Sequence, residues 1–164
     1  MLESQRIPLD DVLFSACMGN NVNPIKFLMD RGAKLSHKNK DDRSLLHAAC
    51  SVQGPTSNTV RYLIEQGLPV DATDRFGNTP LHLACESHNY KAIEILLAHS
   101  ADANAQNNIG DTPLIYSAKN GRYHMKLYRM LMKYNVDPSK KNAEAKTFSD
   151  YISKQQQQSV LSIS

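Results

Sequence analysis

Long apolar runs are missing from this chain. No stretch approaches the ~18 apolar residues that span a membrane, although 41% of the 164 residues are hydrophobic. That content suits a folded chain with a real core and argues against disorder. Met1-Leu2-Glu3-Ser4-Gln5-Arg6 lacks the basic-then-apolar pattern of a secretory signal. The expected location is therefore cytoplasmic, with the nucleus or a host cell as open alternatives. A large charge excess is missing too: 19 Lys and Arg stand against 16 Asp and Glu. So slight a surplus pushes only weakly toward acidic partners and does not establish nucleic-acid binding. No Gly-rich phosphate loop follows a strand, and no nucleophile elbow occurs. The adjacent acids Asp10-Asp11 and Asp41-Asp42 fall at a helix start and a turn, where carboxylates act as solvated caps. No acid, base and nucleophile are expected to converge, so neither an enzyme nor a cofactor is expected.

What the chain has is a repeat. Leu13-Phe14-Ser15-Ala16-Cys17 returns as Leu46-His47-Ala48-Ala49-Cys50, Leu81-His82-Leu83-Ala84-Cys85 and Leu114-Ile115-Tyr116-Ser117-Ala118. The leading leucines lie 33, 35 and 33 residues apart. A period of this length means stacked small units. The three cysteines close the first three segments, and Ala118 closes the fourth. A position that takes Cys or Ala wants a small apolar side chain against a neighbouring helix, which favours packing over disulfide or catalytic roles.

The third copy shows the local logic. Asp74 and Gly77 bracket a tight turn. Thr79 is placed to cap a helix, and Pro80 follows at the first helical position, where a missing N–H costs nothing. This helix is expected to reach about Ser87. A second runs from about Tyr90 to His99, with Ala92, Ile93, Ile95, Leu96 and Leu97 buried. Neither is stable alone; each needs its neighbours.

These residues resemble the ankyrin repeat. Thr79-Pro80-Leu81-His82-Leu83-Ala84 and Leu96-Leu97 match its turn, T-P-L-H-x-A and paired-Leu pattern, and Thr112-Pro113-Leu114 repeats part of it. In the second copy Leu45 stands in place of the usual Pro, and the first copy is degenerate. The resemblance implies an all-α solenoid of stacked antiparallel helix pairs with short turns. A lead of 1–7 precedes repeats at about 8–38, 39–73, 74–106 and 107–140. A half-repeat at 141–152, around Phe148 to Ile152, is expected to supply the closing helix, before a polar Gln-rich tail at 153–164.

The second copy is two residues too long near Gly54-Pro55, which reads as a longer loop between its helices. The fourth is one residue long within Asn120 to Met125 and carries Tyr116, Tyr123, Tyr128 and Tyr134. Helical phase buries some of these tyrosines against the cap, and the others suit an interface.

The resemblance also implies function: a protein–protein interaction module, acting as adaptor, scaffold or inhibitor along turn tips and a concave helix face. Matching tip residues are Lys40, Asp41 and Arg43, then Arg75, Phe76 and Asn78, then Asn108, Ile109 and Asp111. The helix face contributes Ser51, Val52, Glu86, Ser87, Lys119 and Asn120. Phe76 and Ile109 share one repeat position, and an aromatic beside Arg75 is a hot-spot pairing. His47 with Cys50 and His82 with Cys85 share a helix face, yet both pairs follow the repeat, so a turn-bonding role is preferred to metal. The segment Leu96 to Asn104 is similar to that recognised by asparaginyl hydroxylases, with Ala103 smaller than usual, so Asn104 is a candidate for hydroxylation. The expected partner is one protein of unknown identity, bound by a monomer, with no small molecule or membrane and nucleic acid disfavoured. A microbial or viral effector aimed at host signalling and a nucleic-acid-associated regulator stay open as alternatives.

Overall fold

The computed structural model describes residues 8–119 and 125–152. Among the described residues there are eight α-helices, and the first six pack as antiparallel pairs: α1 (Leu9–Ala16) with α2 (Val22–Met29), α3 (Leu45–Cys50) with α4 (Ser57–Glu65), and α5 (Pro80–Glu86) with α6 (Tyr90–Ala98), followed by α7 (Pro113–Lys119) and α8 (Met125–Leu131). Among the described residues there is no strand, only an isolated bridge between Lys38 and Ser44. First helices stack on first helices, α1 on α3 on α5 on α7, and α2, α4 and α6 form an outer layer. The all-α solenoid expected from the repeat is the architecture observed.

The repeated segment is the core. Leu13, Leu46, Leu81 and Leu114 are buried, and so are Cys17, Cys50, Cys85 and Ala118. All three cysteines are free thiols. Burial pushes the Cys17 thiol up to about 12 and raises Cys50 and Cys85 as well. Such groups are inert small hydrophobes rather than nucleophiles.

Helix α5 ends at Glu86 with Ser87 as its cap, and α6 ends at Ala98, each one residue short of expectation. The extra residues of the second copy lie between α3 and α4, where 51–56 replaces the short 87–89 link of the next pair. Thr56 closes that longer loop by donating to the Ala49 carbonyl at 2.8 Å. The fourth copy's extra residue, together with Asn120 and Tyr123, lies outside the described residues, as do the lead and the Gln-rich tail.

The expected closing helix is shorter than a helix. Phe148–Tyr151 forms a single 3₁₀ turn, held by Asp150, whose carboxylate accepts from the Thr147 N–H at 2.7 Å. Its anchor is Phe148, which is fully buried and stacks on Tyr128 with ring centroids 5.4 Å apart. Ile152, the next residue after this turn, is buried as well.

Candidate functional site

Each turn is built by one Asx side chain. Asn39 Oδ1 accepts from the N–H groups of Asp41 and Arg43. Asp74 does the same for Phe76 and Asn78, Asn107 for Ile109 and Asp111, and Asn142 for Glu144 and Lys146. Two N–H groups that would be orphaned in a tight turn are thereby satisfied.

The last residue of each turn then reaches the Asx of the next. Arg43 Nε meets Asp74 Oδ2 at 3.2 Å, Asn107 Nδ2 donates to Asn78 Oδ1 at 2.9 Å, and Asn142 Nδ2 donates to Asp111 Oδ1 at 2.7 Å. Backbone bonds run beside them: Arg75 N–H to the Asp41 carbonyl, Asn108 N–H to Phe76, and Ala143 N–H to Ile109, each at 3.0 Å. The turns are thus laced into one continuous edge.

This close approach explains two glycines. Gly77 and Gly110 have φ of +76° and +75°, a region costly for other residues. A Cβ at Gly77 would also lie 2.7 Å from the Asn108 nitrogen, and one at Gly110 would lie 2.8 Å from the Ala143 nitrogen.

Buried histidines bind the helices to the same edge. The Thr79 N–H donates to His82 Nδ1 at 3.1 Å, so the ring proton sits on Nε2, which donates to the Asp111 carbonyl at 2.9 Å. His47 repeats this one unit earlier, accepting from Ser44 and donating to the Asn78 carbonyl. Burial lowers His82 to about 4, against the smaller upward pull of its bond to Asp111, and lowers His47 as well. These rings are neutral staples between units, in keeping with the turn-bonding role preferred over metal. Among the described residues, no group of three or more His, Cys, Asp or Glu could hold a metal ion, and no helix is long and apolar enough to cross a membrane.

The lacing divides the expected tip residues into two sets. Lys40, Arg75, Phe76, Asn108 and Ile109 are exposed. They are held together: Arg75 Nη1 donates to the Lys40 carbonyl at 3.5 Å, and Asn108 Nδ2 donates to the Arg75 carbonyl at 3.0 Å. Phe76 and Ile109 are 44% and 48% exposed. The Arg75 guanidinium lies 4.7 Å from the centroid of the Phe76 ring, a cation–π geometry.

Asn78 and Asp111 correct the expectation of exposed tips. They are 2% and 0% exposed, because the fifth residue of each turn points into the inter-unit ladder. Arg43 is half-buried by its pair with Asp74. Ser87 is also buried rather than on the open face; its hydroxyl donates to the Cys50 carbonyl at 2.7 Å. Glu86 is half-buried at the end of α5. At the end of α7 the Lys119 ammonium lies 3.5 Å from Asp111 and 3.4 Å from Glu144. Burial opposes the charge of Lys119, but the neighbouring carboxylates outweigh it and raise the ammonium.

Asn104 is fastened at both ends of its amide. Its Nδ2 donates to the Asn135 carbonyl at 3.0 Å, and its Oδ1 accepts from the Asp137 N–H at 2.8 Å. In this fold it ties the loop after α6 to the loop after α8.

Between the exposed tips lies a groove of about 310 Å³. Phe76, Asn108 and Ile109 form its rim, with Tyr116, Arg43 and the ladder pair Asn78 and Asn107 inside. Tyr116 is half-buried, its ring edge-on to His82 at 5.8 Å. Sequence reasoning missed the ladder, although Asn39, Asp74, Asn107 and Asn142 recur on the repeat period and carry the signal in plain view.

A family model for ankyrin repeats (3 copies) matches residues 13–107 and 57–142, together well over half of the chain. No curated protein matches it. A general protein-binding, scaffolding role without catalysis is typical of proteins that match such a model.

Proposed function

The chain belongs to the ankyrin repeat family, and on that premise we propose that it grips one partner protein along its turn tips and concave helix face, as an adaptor, scaffold or inhibitor. The observation that carries this reading is the adjacency of Phe76 and Ile109, two half-exposed apolar side chains on neighbouring turns above one groove. Covering each of them would contribute about 1 kcal/mol. Arg75 beside Phe76 adds the cation–aromatic pairing favoured at interface centres. Their carrier turns are fixed by backbone bonds from one unit to the next, so little ordering entropy is lost on docking.

The test is affinity capture from the native host, with partners identified by mass spectrometry. Wild type is compared with the Phe76→Ala, Ile109→Ala double variant. A partner lost selectively from the variant, with folding stability changed by less than about 1 kcal/mol, is the expected result. An unchanged set of partners would reject the tips as the binding centre. A large fall in melting temperature would show instead that these side chains are structural.

A further inference from the structure

We infer that the outer face of α8 is a second interaction surface, which takes an acidic, amphipathic segment of a partner protein. Helix α8 buries Leu127, Tyr128 and Leu131. Helical phase then leaves Lys126 and Arg129 on the other side, and Lys133 extends the stripe through the 3₁₀ turn Met132–Tyr134. All three are exposed. Helix α6 packs more closely against α4 than against α8. The opening between α6 and α8 is a groove of about 360 Å³, lined by this basic stripe together with Met125, Met130, Tyr134 and, from α6, Glu94.

Charge complementarity identifies the occupant. None of the three cations lies within ion-pair distance of a carboxylate among the described residues. The acid beside them, Glu94, is taken by Lys91 at 2.8 Å. Lys126 is held 4.2 Å over the Tyr90 ring, which orients its ammonium without cancelling its charge. An acidic segment would supply the missing counter-charges. Met125 and Met130 are half-buried and Tyr134 is 38% exposed. Thioethers adapt to irregular apolar shapes, so this floor suits apolar residues set between the acids. Three cations along one short helix are too few to follow a phosphate backbone. No residue here lines the groove at the tips. The two surfaces can therefore work independently, and the chain can bridge two proteins.

Fluorescence anisotropy with a short labelled peptide alternating glutamate with leucine and phenylalanine tests the proposal. The comparators are the same peptide with serine at the apolar positions and a single-stranded oligonucleotide of equal charge. The protein is used as wild type, as Lys126→Glu, Arg129→Glu, Lys133→Glu, as the milder triple change to Gln, and as the Phe76→Ala, Ile109→Ala variant. The amphipathic peptide should bind saturably. Its affinity should fall about tenfold or more on charge reversal, fall less with Gln, and hold in the tip variant. Circular dichroism checks each fold, and the Gln variant decides if the Glu variant unfolds. Absent saturable binding, or affinity that survives loss of the charges, would overturn the proposal. Equally tight binding of the serine peptide or the oligonucleotide would overturn it too, by showing a response to charge alone or to nucleic acid.

Discussion

Cations on the turn side and cations along α8 are handled in opposite ways. At the turns Arg43 meets Asp74 and Arg75 meets Asp41, both at 3.2 Å, and Lys119 and Lys146 share Glu144. Along α8, Lys126, Arg129 and Lys133 meet no carboxylate among the described residues. The difference follows from what each region does for the stack. Arg43, Arg75 and the turn amides lie where one unit must recognise the next, so these groups are spent on internal pairing. Helix α8 meets the stack through buried Leu127, Tyr128 and Leu131, with Met125 and Met130 packed beside them, and its basic face is spent on no ion pair among the described residues. A balanced net charge therefore conceals a local imbalance.

The comparison breaks first if the ladder is not structural. Asn107→Ala removes acceptors for two turn N–H groups and the donor to Asn78, leaving buried groups unpaired. It should cost about 3–4 kcal/mol, read as a fall of roughly 10 °C in melting temperature. A shift of only a degree or two would demote the ladder to an ornament of the turns.

The staples sharpen it by pH. His82 titrates near 4 in the folded chain and near 6.5 when unfolded. The unfolded chain thus takes up the proton first. Stability present above pH ~6.5 should drain away as pH falls toward ~4, by up to about 3 kcal/mol. A His82→Gln variant should show a flatter decline in melting temperature over that window, with His47 supplying what remains. An unaltered slope would place the acid sensitivity elsewhere.

The smallest effect belongs to α8. Replacing Lys126, Arg129 and Lys133 by Glu should change folding stability by no more than about 0.5 kcal/mol each, as measured by urea unfolding. A larger loss would mean that this stripe holds the fold, and the contrast between the two regions would disappear.

Much of this was legible in residue spacing. Leu13, Leu46, Leu81 and Leu114 announced the units, the cysteines their packed ends, and Thr79-Pro80 a helix start. Each is a local signal, because helix phase and capping act over three or four residues. Tip exposure is only partly legible in the sequence. Phe76 and Ile109 point outward as the repeat position suggested, whereas Asn78 and Asp111, two places further on, turn inward. Nothing within one unit distinguishes those positions, because the partners that bury Asn78 and Asp111 stand in the following turn, 29 and 31 residues away.

Sequence alone therefore determined the unit: its length, its two helices, its buried leucines and small residues, and the all-α stack that follows when such units cannot stand alone. Tertiary structure decided the faces. Only when units were in register could Arg43 find Asp74 and Asn142 find Asp111. Only then did α8 open from α6, with no carboxylate among the described residues paired to its cations. The reason is that local signals fix where a side chain sits along its helix, whereas the neighbouring unit fixes whether that place is covered.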